Sequence, residues 1–195
     1  MIIKDWKKDI LTIPNLLSLF RIILIPVYVV VYLNATEPAH YYIAGAILAV
    51  SCATDWVDGK IARHFNMIST VGKVLDPFAD KATQFTLILC LAITYPVLWI
   101  ITGLFVLKES FQLIAGLITF KNGKMLTGAL FSGKLCTAVL FLSLIIMVLM
   151  PELSYTAVVI ITAVDGIFLL VAFAEYGYTY LKNTSMIQDL DRPDC

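Results

Sequence analysis

Charge is scarce in this sequence: only 14% of the residues are Asp, Glu, Lys or Arg, while 60% are hydrophobic. A soluble domain needs a polar surface to enclose its core, and this chain has too little of one. Fourteen basic residues balance fourteen acidic ones, so there is no bulk positive field and no case for nucleic acid as a partner. Cys52, Cys90, Cys136 and Cys195 are scattered, three of them in apolar runs. That argues against a disulfide scaffold or a zinc site and leaves them as small apolar filler. Internal repeats, low-complexity runs and Gly/Ser linkers are also missing, which favours one domain over residues 1–195.

What the chain has instead is long apolar runs, with a mean hydropathy of +0.89. Six can be marked, at 16–33, 41–57, 74–94, 96–118, 126–149 and 153–179. Most approach the roughly 20 residues that carry a helix across about 30 Å of hydrocarbon. The expected fold is therefore an all-α integral membrane protein with six transmembrane helices. Only Tyr95 and Pro96 separate the third run from the fourth, so that boundary rests on the proline and on length. The start, MIIKDWKKDI, suits a short amphipathic helix on the membrane surface, with Ile2, Ile3, Trp6 and Ile10 on one side; a disordered basic tail is the alternative.

Alternate connections differ in charge. Lys4, Lys7 and Lys8 precede the first run, Lys60, Arg63, His64 and Lys73 lie between the second and third, Lys121 and Lys124 between the fourth and fifth, and Lys182 and Arg192 after the sixth. The intervening stretches NATEPAH, TYP and MPE have no Lys or Arg. Basic connections stay on the cytoplasmic side, which puts both termini there, as expected for a bacterial cytoplasmic membrane protein. The first run lacks a small-residue cleavage site and reads as a retained helix rather than a signal peptide.

The charges that remain are concentrated. From Asp55 the spacing runs Asp55-x2-Asp58-Gly59-x2-Ala62-Arg63-x8-Gly72-x3-Asp76-x3-Asp80. Asp55 and Asp58 are three apart and Asp76 and Asp80 four apart, so on helices each pair shares a face. A turn through residues 64–71 would bring the pairs together. Four facing carboxylates near hydrocarbon repel one another unless cations sit between them. All-oxygen ligation favours two divalent ions, Mg2+ or Mn2+, over zinc, and magnesium is the usual partner of substrate phosphates. Gly59 and Ala62 leave room for a flat group or a phosphate, Arg63 offers a fork of donors to phosphate oxygens, and Gly72 permits a close approach before the third helix. Pro77 is tolerated in a first helical turn, which suggests a helix start close to Asp76.

These eight positions resemble the CDP-alcohol phosphatidyltransferase family. TIPNLLSLFRIILIPVY at 12–28 and LDPFADK at 75–81 look like its phosphatidylglycerophosphate synthase branch. The resemblance implies a homodimer with one site per subunit, open to the cytoplasmic leaflet, and a reaction in which CDP-diacylglycerol meets a polar alcohol and releases CMP. It implies that Asp55, Asp58, Asp76 and Asp80 are metal ligands, that Asp80 is the general base, and that Arg63 assists the diphosphate charge. Gly59, Ala62, Arg63 and Gly72 would then contact the CDP-lipid.

For the acceptor, Lys108-Glu109 stands where glycerophosphate-using relatives have Arg-Glu, and Gly133-Lys134-x2-Thr137 matches part of a fifth-helix pattern. Lys108, Lys134 and Arg21 are the expected acceptor contacts, with snorkelling to the interface as the plain alternative for each. Cys136 and Leu140 depart from that pattern, replacing a lysine and a glutamine. The leading acceptor is sn-glycerol 3-phosphate, followed by phosphatidylglycerol, which would give cardiolipin, and then by inositol phosphate or serine. Readings from other classes are a divalent-cation transporter and a nonenzymatic scaffold. Transport predicts acids spread along a path, whereas these four cluster. Asp165, in the last run, calls for a polar partner, and with Glu175 it could serve packing, a dimer contact or a substrate groove.

Overall fold

The computed structural model describes residues 12–64, 72–121, 124–126, 130–182 and 187–189, with the side chains of 13, 14, 55–64, 73, 74, 120, 124–126 and 187–189 outside the description. The amphipathic helix expected before residue 12 lies outside the described residues. Six helices account for most of the described chain: α1 (Ile13–Leu33), α2 (Pro38–His64), α3 (Gly72–Thr94), α4 (Trp99–Lys121), α5 (Phe131–Leu149) and α6 (Tyr155–Lys182). Two short strands, β1 (Lys124–Leu126) and β2 (Ile187–Asp189), pair antiparallel with Met125 opposite Gln188. The chain divides into two compact units, one of residues 1–93 and 145–152, the other of 94–144 and 153–195.

Local chemistry explains the boundaries. Thr12 caps α1, its hydroxyl accepting from the Asn15 N–H at 3.4 Å, and a proline sits in the first turn, where no amide proton is required. At the other end Asn34 donates from its backbone N–H and from Nδ2 to the Val30 carbonyl, the latter at 2.7 Å. The chain reverses within a few residues into α2, and Tyr32 meets Tyr41 edge-on with ring centres 5.6 Å apart. The third and fourth runs part as the proline indicates: Tyr95 is extended and a 3-10 turn at Pro96–Leu98 leads into α4. Helix α3 begins at Gly72, four residues ahead of Asp76, so Pro77 lies inside it and leaves the Lys73 carbonyl without its helical donor.

In α1 the polar residues point inward. Asn15, Ser18 and Arg21 are buried, while Leu16, Leu19, Phe20, Ile23, Val27 and Val30 are exposed. This inversion of the soluble pattern suits a surface in contact with lipid.

The expectation of six transmembrane helices is corrected: among the described residues, four helices are long enough and apolar enough to cross a membrane. These are residues Asn15–Leu33, Pro96–Thr119, Phe131–Leu149 and Tyr155–Lys182, and they make the chain an integral membrane protein. The charges of the second and third runs explain the shortfall. In α2 the stretch between Glu37 and Asp55 is 17 residues and is interrupted by polar His40, and in α3 the stretch after Lys81 is 13 residues, both short of the roughly 20 that span a bilayer.

Candidate active site

The first unit contains the aspartate pattern. Asp55 and Asp58 are on the last turns of α2, and Asp76 and Asp80 on the first turns of α3. The packing puts these ends together. A small cleft is lined by Leu24 and Tyr28 of α1, Leu48 and Ser51 of α2, and Thr83 and Leu87 of α3. From Ser51 the chain of α2 continues toward Asp55, while from Thr83 the chain of α3 runs back toward Asp80 and Asp76. Since α2 runs opposite to α1, and α3 alongside α1, both moves lead to the same end of the unit, where Arg21 and Ser18 lie.

Two contacts with α1 fix the α3 carboxylates. The Ser18 hydroxyl donates to Asp76 Oδ1, and Arg21 Nη1 donates to Asp80 Oδ1 in an ion pair. Ser18 is fully buried and Arg21 is 2% exposed, whereas the Asp80 side chain is 49% exposed. Arg21, grouped by sequence pattern with the acceptor contacts, thus has its guanidinium on an aspartate. Gly72 is buried at the start of α3. The side chains of Asp55, Asp58, Gly59, Ala62 and Arg63 lie outside the described residues. Among the described residues no three His, Cys, Asp or Glu side chains gather. The described half of the expected ligand set is Asp76 with Asp80, an all-oxygen pair one helical turn apart and partly open to solvent. That donor chemistry fits hard divalent cations such as Mg2+ or Mn2+.

The second unit contains Lys108 and Lys134. Lys108, on α4, is buried, with Nζ 2.8 Å from Glu109 Oε1 and 5.5 Å from the centre of the Tyr176 ring. Lys134 is exposed in the first turn of α5. Tyr176, on α6, also closes over Gly133: a Cβ built there would come within 2.6 Å of the Tyr176 hydroxyl. The Thr137 hydroxyl donates back to the Gly133 carbonyl at 2.9 Å, so it serves the helix itself. Cys136 and Leu140, which replace polar residues of the expected pattern, are both buried and pack instead. Ser143 Oγ lies 2.6 Å from Asp165 Oδ2, which supplies the polar partner that Asp165 called for.

Ser18, Tyr176 and Ser143 carry these contacts and were not singled out from sequence. Only the one-turn spacing of Asn15, Ser18 and Arg21 on an otherwise apolar helix hinted at a polar seam.

Comparison with known proteins bears on the same region. The profile of the CDP-alcohol phosphatidyltransferase family matches residues 11–173. A Mycobacterium tuberculosis protein named "Probable phosphatidylglycerophosphate synthase" is 30% identical over 158 residues, 79% of this chain and 75% of that one. A Mycobacterium bovis "Putative cardiolipin synthase" is 40% identical over 90 residues, 46% of this chain. This chain spans only 42% of the length of that relative. An Escherichia coli K12 protein, "CDP-diacylglycerol--glycerol-3-phosphate 3-phosphatidyltransferase", is 49% identical over 70 residues, 35% of this chain and 37% of that one. The similarity extends about equally to the two branches, cardiolipin synthase and phosphatidylglycerophosphate synthase. Since the family profile covers most of the chain and includes every position from Asp55 to Asp80, the chain belongs to the CDP-alcohol phosphatidyltransferase family.

Proposed function

We propose that this protein is a phospholipid-synthesising transferase that moves the phosphatidyl group of CDP-diacylglycerol onto an alcohol and releases CMP. The observation that carries this reading is the arrival of both aspartate pairs at one end of the first unit, inside the family match. Asp55, Asp58, Asp76 and Asp80 would hold two Mg2+ or Mn2+ ions, which when bound neutralise the diphosphate and stabilise the leaving group.

The chain's own groups do the rest. The acceptor oxygen attacks the lipid-side phosphorus, the bond from that phosphorus to the oxygen of CMP breaks, and the hydroxyl proton passes to the Asp80 carboxylate. Half-exposed Asp80 can be reached by an acceptor, while its bond to Arg21 limits its orientations. Arg63 assists the charge on the diphosphate, and Gly59, Ala62 and Gly72 make room for the cytidine end. The Lys and Arg bias supports a site on the cytoplasmic side of a bacterial membrane, with both termini on that side. We take the working form to be a homodimer with one site per subunit.

Our acceptor is sn-glycerol 3-phosphate, giving phosphatidylglycerophosphate. Its support is Lys108-Glu109 together with the Gly133-Lys134-x2-Thr137 pattern, two cationic positions suited to a second phosphate. Phosphatidylglycerol, giving cardiolipin, is the second reading, motivated by the relative of that name and by the apolar Cys136 and Leu140. The deciding experiment incubates purified protein with CDP-diacylglycerol, Mg2+ and each acceptor separately and follows CMP release. Release that depends on glycerol 3-phosphate is expected. Release only with phosphatidylglycerol would replace the acceptor. No release with any alcohol, together with cation flux in proteoliposomes, would replace the enzyme reading by transport.

A further inference from the structure

Two contacts set α5 against α6 in the second unit. Gly133 lies beneath Tyr176, and about 15 Å further along α5 Ser143 meets Asp165. Asp165 is 1% exposed and about 15 Å along the span Tyr155–Lys182, close to the middle of a hydrocarbon layer of roughly 30 Å. The transfer chemistry makes no use of it.

The hydrogens available here are too few for an ionised carboxyl. Ser143 has one hydroxyl hydrogen and two oxygens within reach, the Leu140 carbonyl at 2.9 Å and Asp165 Oδ2 at 2.6 Å. Beside a carboxylate, that hydrogen could serve only one of them, and the other pair of oxygens would face each other with no proton between. Asp165 Oδ1 is buried as well and accepts from none of the described residues. The neighbouring groups have nothing to lend. On α4, Ile101 and Leu104 come up against Gly166, and Thr102 donates to the Leu98 carbonyl of its own helix, as Thr162 of α6 does to Val158. Among the described residues, burial and Ser143 are the influences on this carboxyl, and no cation offsets a charge on it. An ion with a single donor at this depth is costly. One more proton removes the conflict: the acid O–H donates to Ser143 Oγ, Ser143 donates to Leu140, and Oδ1 becomes a neutral carbonyl short of one donor.

We propose that Asp165 keeps its proton at neutral pH and acts as a hydrogen-bond donor, so that a neutral acid latches α6 to α5 inside the membrane. The latch depends on that proton. Its loss in alkaline solution leaves a buried charge and takes the Ser143 hydrogen away from Leu140, so the stability that the latch confers is present at low pH and lost as the pH rises.

The test is infrared spectroscopy of the purified full-length protein in detergent, with aspartate carrying a heavy carbon isotope at its side-chain carboxyl to separate its bands from those of lipid esters. At neutral pH the wild type should show a labelled carboxylic-acid band that is absent from Asp165→Asn. In Ser143→Ala, where the acid has lost its acceptor, the band should move to higher frequency, and in the wild type it should give way to carboxylate as the pH rises. A wild-type spectrum with labelled carboxylate alone would overturn the proposal, as would an acid band that survives in Asp165→Asn or keeps its frequency in Ser143→Ala. Thermal unfolding reads the latch itself. Across the pH at which the acid band disappears, the Tm of the wild type should fall by at least about 2 °C more than that of Asp165→Asn, whose amide does not ionise. Parallel Tm profiles across that pH would show that the proton holds nothing together and would overturn the latch.

Discussion

Gly133 offers a sharp test of how the second unit is built. A methyl group added there would lie 2.6 Å from the Tyr176 hydroxyl, 2.8 Å from Cε2 and 3.1 Å from Cζ, where ordinary contact begins near 3.4 Å. The ring would have to retreat by about 0.8 Å at the hydroxyl and about 0.6 Å at Cε2. Tyr176 is 2% exposed, stacks at 22° on Tyr180, and has the Lys108 ammonium 5.5 Å from its ring centre. It has little room to yield. Overpacking of this kind costs about 1–3 kcal/mol, which for a chain of this size lowers Tm by about 2–12 °C. Thermal unfolding of Gly133→Ala in detergent, followed by fluorescence, would show it. Adding Tyr176→Phe removes the closest contact but not the one at Cε2, so it should recover only part of the loss. A Tm for Gly133→Ala within about 1 °C of the wild type would refute the steric argument. An unchanged Tm with lost transfer would mean instead that the glycine is kept open for substrate.

Three further outcomes follow from the same geometry. Asp80→Asn should cut CMP release by about 10²–10⁴-fold while CDP-diacylglycerol binding, measured by equilibrium titration, largely survives; near-normal turnover would remove Asp80 as base. Chelation with EDTA should abolish transfer and added Mg2+ restore it, with a metal-independent rate counting against the aspartates as ligands. Asp165→Asn should keep stability within about 1 kcal/mol, because the amide can donate to Ser143 Oγ while Ser143 donates to the Leu140 carbonyl 2.9 Å away. Asp165→Ala removes that partner and should cost about 1–3 kcal/mol, so equal unfolding temperatures for the two variants would count against the bond.

Much of the helical plan was legible because apolar runs and proline act locally. The break at Tyr95 and Pro96 follows from spacing alone. The number of membrane-spanning helices was not, because a run was read for its apolar centre while the charges at its edge decide whether it can enter hydrocarbon. In α2 and α3 those charges are the functional ones. The start of α3 was misplaced for a related reason: Pro77 marks a helix start only when no earlier turn has been nucleated, and Gly72 begins one. Arg21 was grouped with the acceptor contacts, with anchoring at the interface as the alternative, because Asp80, to which it donates, lies 59 positions away. Tyr176 carried no signal at all, since an aromatic residue in an apolar helix is ordinary until a glycine on another helix is seen beneath it.

The small β1–β2 pairing gives the second unit an order of completion. Lys124 pairs with Asp189, so the segment between α4 and α5 stays unmatched during synthesis until roughly 65 more residues have been made. Of the two strands, the later one to leave the ribosome closes the pair. Shortening the chain before Ile187 would therefore expose backbone donors and acceptors far upstream of the cut, beside β1. A purification tag fused close behind Asp189 would burden the same closure, whereas one placed ahead of α1 would not.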